Sequence, residues 1–170
     1  MNIKCLTLGP LKTNCYIIEV DQGTIIIDPA YNADLIQKEI GNKKILTILI
    51  THYHFDHIGA LKELETYYHV KAQDFKKIKN MIVIPTKGHS LDSLTFYFPQ
   101  EKIMFCGDFL FKNTFGRTDL PGGNNKQMLD SLEKISKYPL DTVLYPGHGE
   151  KTTLSLELSN FPEYKDYLLK

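Results

Sequence analysis

Thr51 to Gly59 reads Thr-His-Tyr-His-Phe-Asp-His-Ile-Gly, so His52, His54, Asp56 and His57 place three imidazoles and a carboxylate within six residues. Neutral imidazole nitrogens and carboxylate oxygens are the donors that divalent transition metals accept. The apolar run Ile45-Leu46-Thr47-Ile48-Leu49-Ile50 stands directly before them and predicts a strand whose carboxyl end carries the donors. His52 and His54, two apart, point the same way from an extended segment and can share one ion. Asp56 and His57 lie where the chain turns and face elsewhere, as a second ion would need.

Further candidates follow later strands: His89 in Lys87-Gly88-His89-Ser90, Asp108 in Cys106-Gly107-Asp108-Phe109, and His148 in Pro146-Gly147-His148-Gly149-Glu150. The neighbouring glycines allow sharp turns and close approach to a metal. His89 would complete a three-imidazole site with His52 and His54. His148 would join Asp56 and His57, and Asp108 can bridge. A bridging carboxylate and water hold two ions about 3.5–4 Å apart in two-metal hydrolysis, with hydroxide formed near neutral pH. Asp56 and Asp108 are therefore the candidate catalytic carboxylates. The expected cofactor is Zn2+, two per chain, with iron or manganese also compatible with these donors.

Other residues carry more ordinary readings. His69 reads as a surface or packed residue, and Cys106 as a buried free thiol on the strand face that Asp108 shares. Asp28-Pro29 ends a strand, with hydrogen bonding to a metal ligand as the alternative. Arg117, the only arginine, either binds a substrate carboxylate or braces the loop after Asp108; bracing is the favoured reading.

The elements that must position these residues alternate between strand and helix. Short β-rich runs at Lys4 to Leu8, Cys15 to Val20 and Thr24 to Asp28 predict three antiparallel strands, with a hairpin at Asp21-Gln22-Gly23. A helix is expected over Ala33 to Ile40, closed by Gly41, then a strand over Ile45 to Ile50 and a helix starting within the metal motif and marked by Ile58, Leu61 and Leu64. Met81 to Pro85, Leu91 to Phe98 and Lys102 to Gly107 predict further strands. A helix with Met128, Leu129, Leu132 and Ile135 follows Asn124-Asn125, a last strand covers Thr142 to Tyr145, and the tail from Thr152 reads as helix. Two β-rich halves with helices outside suggest an α/β fold of αββα sandwich type, two mixed sheets forming a single domain over residues 1–170.

Composition narrows the partners. The chain has 170 residues, and 20 Lys plus Arg balance 20 Asp plus Glu. A net charge near zero gives no electrostatic case for nucleic acid or an anionic membrane. A small-molecule substrate is expected, while the oligomeric state is left open. No run has the length of a secretory signal core or a bilayer span, and 3 cysteines without Cys-x-x-Cys spacing indicate reduced thiols, so a cytoplasmic protein is expected.

Five ordered motifs, T-H-Y-H-F-D-H-I-G at Thr51 to Gly59, K-G-H-S at Lys87 to Ser90, F-C-G-D-F-L-F at Phe105 to Phe111, G-R-T-D at Gly116 to Asp119 and Y-P-G-H-G at Tyr145 to Gly149, resemble the metallo-β-lactamase superfamily and its glyoxalase II-like branch. The resemblance covers almost the whole chain. It implies an αββα fold with a dinuclear site, His52, His54 and His89 on one metal, Asp56, His57 and His148 on the other, and Asp108 bridging. An aspartate bridge resembles the hydrolase branch rather than the true β-lactamases. The interval from His57 to His89 is shorter than usual in the branch, which suggests a trimmed and open pocket. The pattern Pro-Gly-His-Thr-Pro-Gly-Ser becomes Thr86-Lys87-Gly88-His89-Ser90-Leu91-Asp92-Ser93. Only 22 residues follow His148, too few for the helical domain that supplies glutathione contacts in full-length glyoxalase II enzymes.

The leading expectation is a hydroxyacylglutathione hydrolase-like thioester hydrolysis, the metal-bound hydroxide attacking the carbonyl and a thiolate departing with little need of a general acid. A mononuclear iron persulfide dioxygenase is the alternative, since such enzymes resemble the same branch and use two histidines and an aspartate. A nuclease is disfavoured by the lack of an inserted domain or basic surface. A non-catalytic metal-binding protein is disfavoured because structural zinc sites are closed four-ligand cages.

Overall fold

The computed structural model describes residues 1–170, which divide into two compact units, Met1–Lys79 and Asn80–Lys170.

In the first unit, β1 (Asn2–Leu8), β2 (Thr13–Val20) and β3 (Gly23–Ile27) form an antiparallel meander, as expected. The hairpin falls at Asp21-Gln22, because Val20 pairs with Gly23, whose φ of 148° lies outside the usual range of L side chains. The chain then crosses through α1 (Ala33–Ile40) and returns as β4 (Ile45–Leu49), parallel to β3, giving the strand order β1-β2-β3-β4. A parallel neighbour requires such a crossover. The side chain of Asn32 caps α1 by accepting from the Leu35 amide at 3.1 Å, and Gly41 ends it with φ 62°. Ala33, Ile36 and Ile40 lie on its buried face and pack with Ile17, Ile26, Ile48 and Leu64 in one apolar cluster.

The helix after the metal motif, α2 (Leu61–Tyr68), begins later than the sequence suggests. Residues before it are held by β3's exit instead: the Ala60 amide donates to the Pro29 carbonyl at 2.9 Å, and a Cβ on Gly59 would lie 2.1 Å from the Ala30 oxygen. Tertiary bonding there takes over the donors that a helix would use. A short 3-10 turn over Phe75–Lys77 was not foreseen.

In the second unit, β5 (Ile82–Pro85), β6 (Leu94–Phe98) and β7 (Ile103–Gly107) are antiparallel neighbours, followed by a small hairpin of β8 (Leu110–Phe111) and β9 (Thr114–Phe115). Helix α3 (Asn125–Ile135) leads to β10 (Val143–Pro146), which pairs parallel to β7. β11 (Thr152–Thr153) closes the order β11-β10-β7-β6-β5. The start of β6 at Leu94 rather than Leu91 follows from the preceding loop, where Ser90 Oγ lies 2.7 Å from Asp92 Oδ1 and 2.6 Å from Ser93 Oγ. The tail is not one helix: it opens with β11 and continues as α4 (Leu154–Ser159) and α5 (Phe161–Leu168), which meet at Asn160. Met104, Cys106, Met128, Leu132, Leu144, Leu154 and Leu168 form this unit's core. No helix of the chain is long and apolar enough to cross a membrane.

Ile48, fully buried, and Leu156, 55 % exposed, give opposite expectations for truncation. Ile48→Ala should lower unfolding free energy by about 2–5 kcal/mol in urea titrations, and Leu156→Ala by less than about 0.5 kcal/mol.

Candidate metal centre

β3 and β4 run parallel, so Asp28 and Thr51 leave neighbouring strand ends on the same side. Asp28 is 1 % exposed and has φ 50°, a left-handed backbone that aspartate tolerates better than most residues. Its carboxylate accepts the Thr51 amide at 2.7 Å, the Thr51 hydroxyl at 2.6 Å and His57 Nδ1 at 2.8 Å. A buried carboxylate needs such donors to offset lost hydration. The bond also fixes the proton of His57 on Nδ1, so Nε2 carries the lone pair a metal would use.

The same logic reaches His52. The Thr51 hydroxyl, having given its proton to Asp28, stands 3.2 Å from His52 Nδ1 and serves there as acceptor, which assigns the lone pair to Nε2. His52 Nε2 lies 3.0 Å from His54 Nδ1. Two nitrogens on a tetrahedral zinc ion sit roughly 3.3 Å apart, given Zn–N bonds of about 2.0–2.1 Å, so this pair fits one ion after a small opening. Tyr53 and Phe55, 50 % and 67 % exposed, alternate with the candidate ligands and point out. Asp56, buried, accepts the Thr13 hydroxyl at 2.8 Å through Oδ2, and the same oxygen is 3.6 Å from His57 Nε2.

In the second unit, β5, β7 and β10 share one direction, so His89, Asp108 and His148 all follow strand ends on one edge. His89 Nδ1 is 2.8 Å from the carbonyl oxygen of Arg117. A carbonyl only accepts, so His89 donates through Nδ1 and presents Nε2. Asp108 Oδ2 is 3.7 Å from His89 Nε2 and 3.4 Å from His148 Nε2. Gly116 passes so close that a Cβ would lie 1.7 Å from the Asp108 carbonyl oxygen and 3.3 Å from His89 Cβ. His89, Asp108, Phe111, Gly116, Arg117, His148 and Gly149 line a hollow of ≈ 390 Å³.

Each unit thus gathers its own share of the sequence candidates: His52, His54, Asp56 and His57 in the first, His89, Asp108 and His148 in the second. Asp28 takes the hydrogen-bonding role offered as the alternative to a plain strand end. The Arg117 guanidinium pairs with Asp119 through two 2.7 Å bonds, which holds the Asp119 carboxyl down at about 2, while the Arg117 carbonyl accepts from His89. Cys106 is buried, with Sγ 3.2 Å from the Leu110 carbonyl, and burial pushes its thiol up to about 12. Thr13 was missed. A lone threonine at a strand start carries no signal in sequence, and its partner Asp56 lies 43 residues away.

The profile of the Metallo-beta-lactamase superfamily matches residues 8–73 and 75–148. The "Probable metallo-hydrolase YqgX" of Bacillus subtilis is 28 % identical over 95 % of this chain and 97 % of its own length. A "Hydroxyacylglutathione hydrolase" of Bartonella tribocorum is 37 % identical over 63 % of this chain, a stretch that spans half of that relative. Among solved structures, TTHA1623 in a di-iron-bound form superposes with a TM-score of 0.84 at 29 % identity, covering 91 % of this chain and 96 % of that one.

Two outcomes follow. Asp28→Ala should weaken metal binding about 10- to 100-fold in chelator competition, because His57 and Thr51 lose their common acceptor. Thiol titration of the native protein should show Cys5 reacting, with Cys15 and Cys106 reacting only after denaturation, since both are buried with raised pKa values.

Proposed function

The chain belongs to the metallo-β-lactamase superfamily and has its fold, and we propose that it is a dinuclear zinc hydrolase of thioesters, similar to hydroxyacylglutathione hydrolases. In this reading His52, His54 and His89 would hold one ion, Asp56, His57 and His148 the other, and Asp108 would serve both. The observation that carries it is the position of Asp108 Oδ2, 3.7 Å from His89 Nε2 and 3.4 Å from His148 Nε2, between imidazoles assigned to different ions. Two divalent ions so held supply an activated water and polarise the substrate carbonyl.

The residues around the hollow favour a thioester. Its titratable lining consists of His89, Asp108, His148 and Arg117. The first three are assigned to metal, and the Arg117 guanidinium is occupied by Asp119 and does not give up protons at neutral pH. A leaving group there must depart without a strong general acid. A thiol, with a pKa of about 8.5, leaves as the thiolate, whereas an amide nitrogen needs protonation first. The hydroxyacylglutathione hydrolase relative supports a small acyl thioester as substrate. Three free cysteines, with no disulfide, support a reducing compartment such as the cytoplasm.

Protein purified without added metal should contain close to two zinc ions per chain by elemental analysis and hydrolyse S-lactoylglutathione. Asp108→Ala should lower kcat by at least about 100-fold and reduce metal occupancy, on the scale of losing a directly acting group. One iron per chain with oxygen consumption on glutathione persulfide would replace this reading by persulfide oxidation.

A further inference from the structure

We propose that Glu157, remote in sequence from every metal-ligand candidate of the first unit and absent from the metal-binding motifs, is a positioning residue that sets the orientation of His89. The inference rests on the reading of His89 as a metal ligand. Glu157 is 1 % exposed on α4. Its Oε2 accepts the Asn113 amide at 2.9 Å and the Tyr164 hydroxyl at 3.1 Å, and its Oε1 accepts the Thr152 hydroxyl at 2.5 Å. One buried carboxylate therefore joins β11, α5 and the tip of the β8–β9 hairpin.

The hairpin link reaches the metal ligand. Asn113, with φ 63°, sits in the two-residue turn between Phe111 and Thr114, which pair across the hairpin. The strand leaving this turn passes through Phe115 and Gly116, whose amide donates to the Phe109 carbonyl at 3.1 Å, and arrives at Arg117, whose carbonyl accepts His89 Nδ1 at 2.8 Å. Gly116 is wedged against the Asp108 backbone with no room for a Cβ, so movement of the hairpin carries directly to Asp108 and His89. Phe111, on the same hairpin, lines the hollow beside His148, with ring centroids 6.2 Å apart. The pairing of β8 with β9 is only two residues long on each side, too little to hold a hairpin by itself. The Glu157 acceptor supplies the missing anchor, since its carboxylate, shut away from water, must keep the Asn113 amide among its donors to offset lost hydration.

Metal binding, rather than turnover, tests this. Cobalt(II) is titrated into metal-free wild-type protein, Glu157→Asp, Glu157→Gln and His89→Ala, with affinity from chelator competition and the ligand field from visible absorption. Aspartate keeps the charge but is one methylene too short to reach Asn113 and Thr152 together. Glutamine keeps the length, its carbonyl accepting from Asn113 while its amide faces the Thr152 hydroxyl, which can turn to accept. Glu157→Asp should lose cobalt affinity roughly 10-fold with altered visible bands and an unchanged circular dichroism spectrum, while Glu157→Gln stays within about threefold of wild type. Wild-type affinity and bands in folded Glu157→Asp overturn the inference. If His89→Ala also binds cobalt as wild type does, it is the ligand reading that fails; if His89→Ala alone loses cobalt, the ligand reading stands and Glu157 has no part in it. A second measurement requires no variant: the Asn113 amide should exchange with solvent as slowly as the amides of β7, and exchange at the rate of an exposed turn would also overturn the proposal.

Discussion

A carboxylate shut away from water must find donors, and Asp28 finds three on the histidine-rich loop from Thr51 to His57. That requirement organises the first unit. It ties the end of β3 to the end of β4 through both polar groups of Thr51, and through the Thr51 hydroxyl it assigns the tautomer of His52. Through His57 Nδ1 it assigns a second tautomer. The path of the loop follows: with Thr51 and His57 both drawn to one side chain, the residues between them must bulge outward. His52, His54 and Asp56 then turn inward while Tyr53 and Phe55 face out. Gly59 closes the arrangement, because any side chain there would collide with the Ala30 carbonyl on the strand exit that carries Asp28.

The second unit solves the same problem with backbone in place of a carboxylate. Its candidate ligands follow three strands of one direction, a consequence of β6 being antiparallel to both neighbours and of α3 returning the chain parallel to β7. Strand direction brings Asp108 and His148 to one edge, but it does not orient an imidazole. The Arg117 carbonyl does that for His89, and it is available because Gly116 lets the chain pass against Asp108. The arginine's positive charge contributes little to this, being exposed and already paired with Asp119.

The candidate donors stand out in sequence because metal ligands are chosen by residue type, and few other roles need H-x-H-x-D-H after an apolar run. The strands and helices that carry them were legible from periodicity, α1 to the residue. What escaped falls into two kinds. Contacts made by common residues, such as Thr13 to Asp56 or the Arg117 carbonyl to His89, leave no mark on composition or spacing. Boundaries that tertiary bonding moves, such as the late start of α2 or the strand Thr152–Thr153 before α4, contradict local propensity because the backbone finds partners elsewhere in the chain. Asp28 lies between these kinds: Asp-Pro announces a strand end, and only the fold shows which donors meet it there.

Two of the imidazoles with assigned tautomers, His57 and His89, differ in what stands behind them. His57 is backed by an anion, and His89 by a neutral carbonyl. A hydrogen bond to a carboxylate raises the basicity of the opposite ring nitrogen more than one to an amide carbonyl, because the charge is nearby and buried on both sides. His57 and His89 are thus oriented by different kinds of partner, although both rings present Nε2. The difference belongs to the chain and is built in before any ion arrives: one unit fixes its ligand by charge, the other by the path of its backbone. Losing the charge weakens the donor atom itself, whereas disturbing the backbone misdirects a donor of unchanged strength, and these are physically separate ways for one protein to tune how it holds metal.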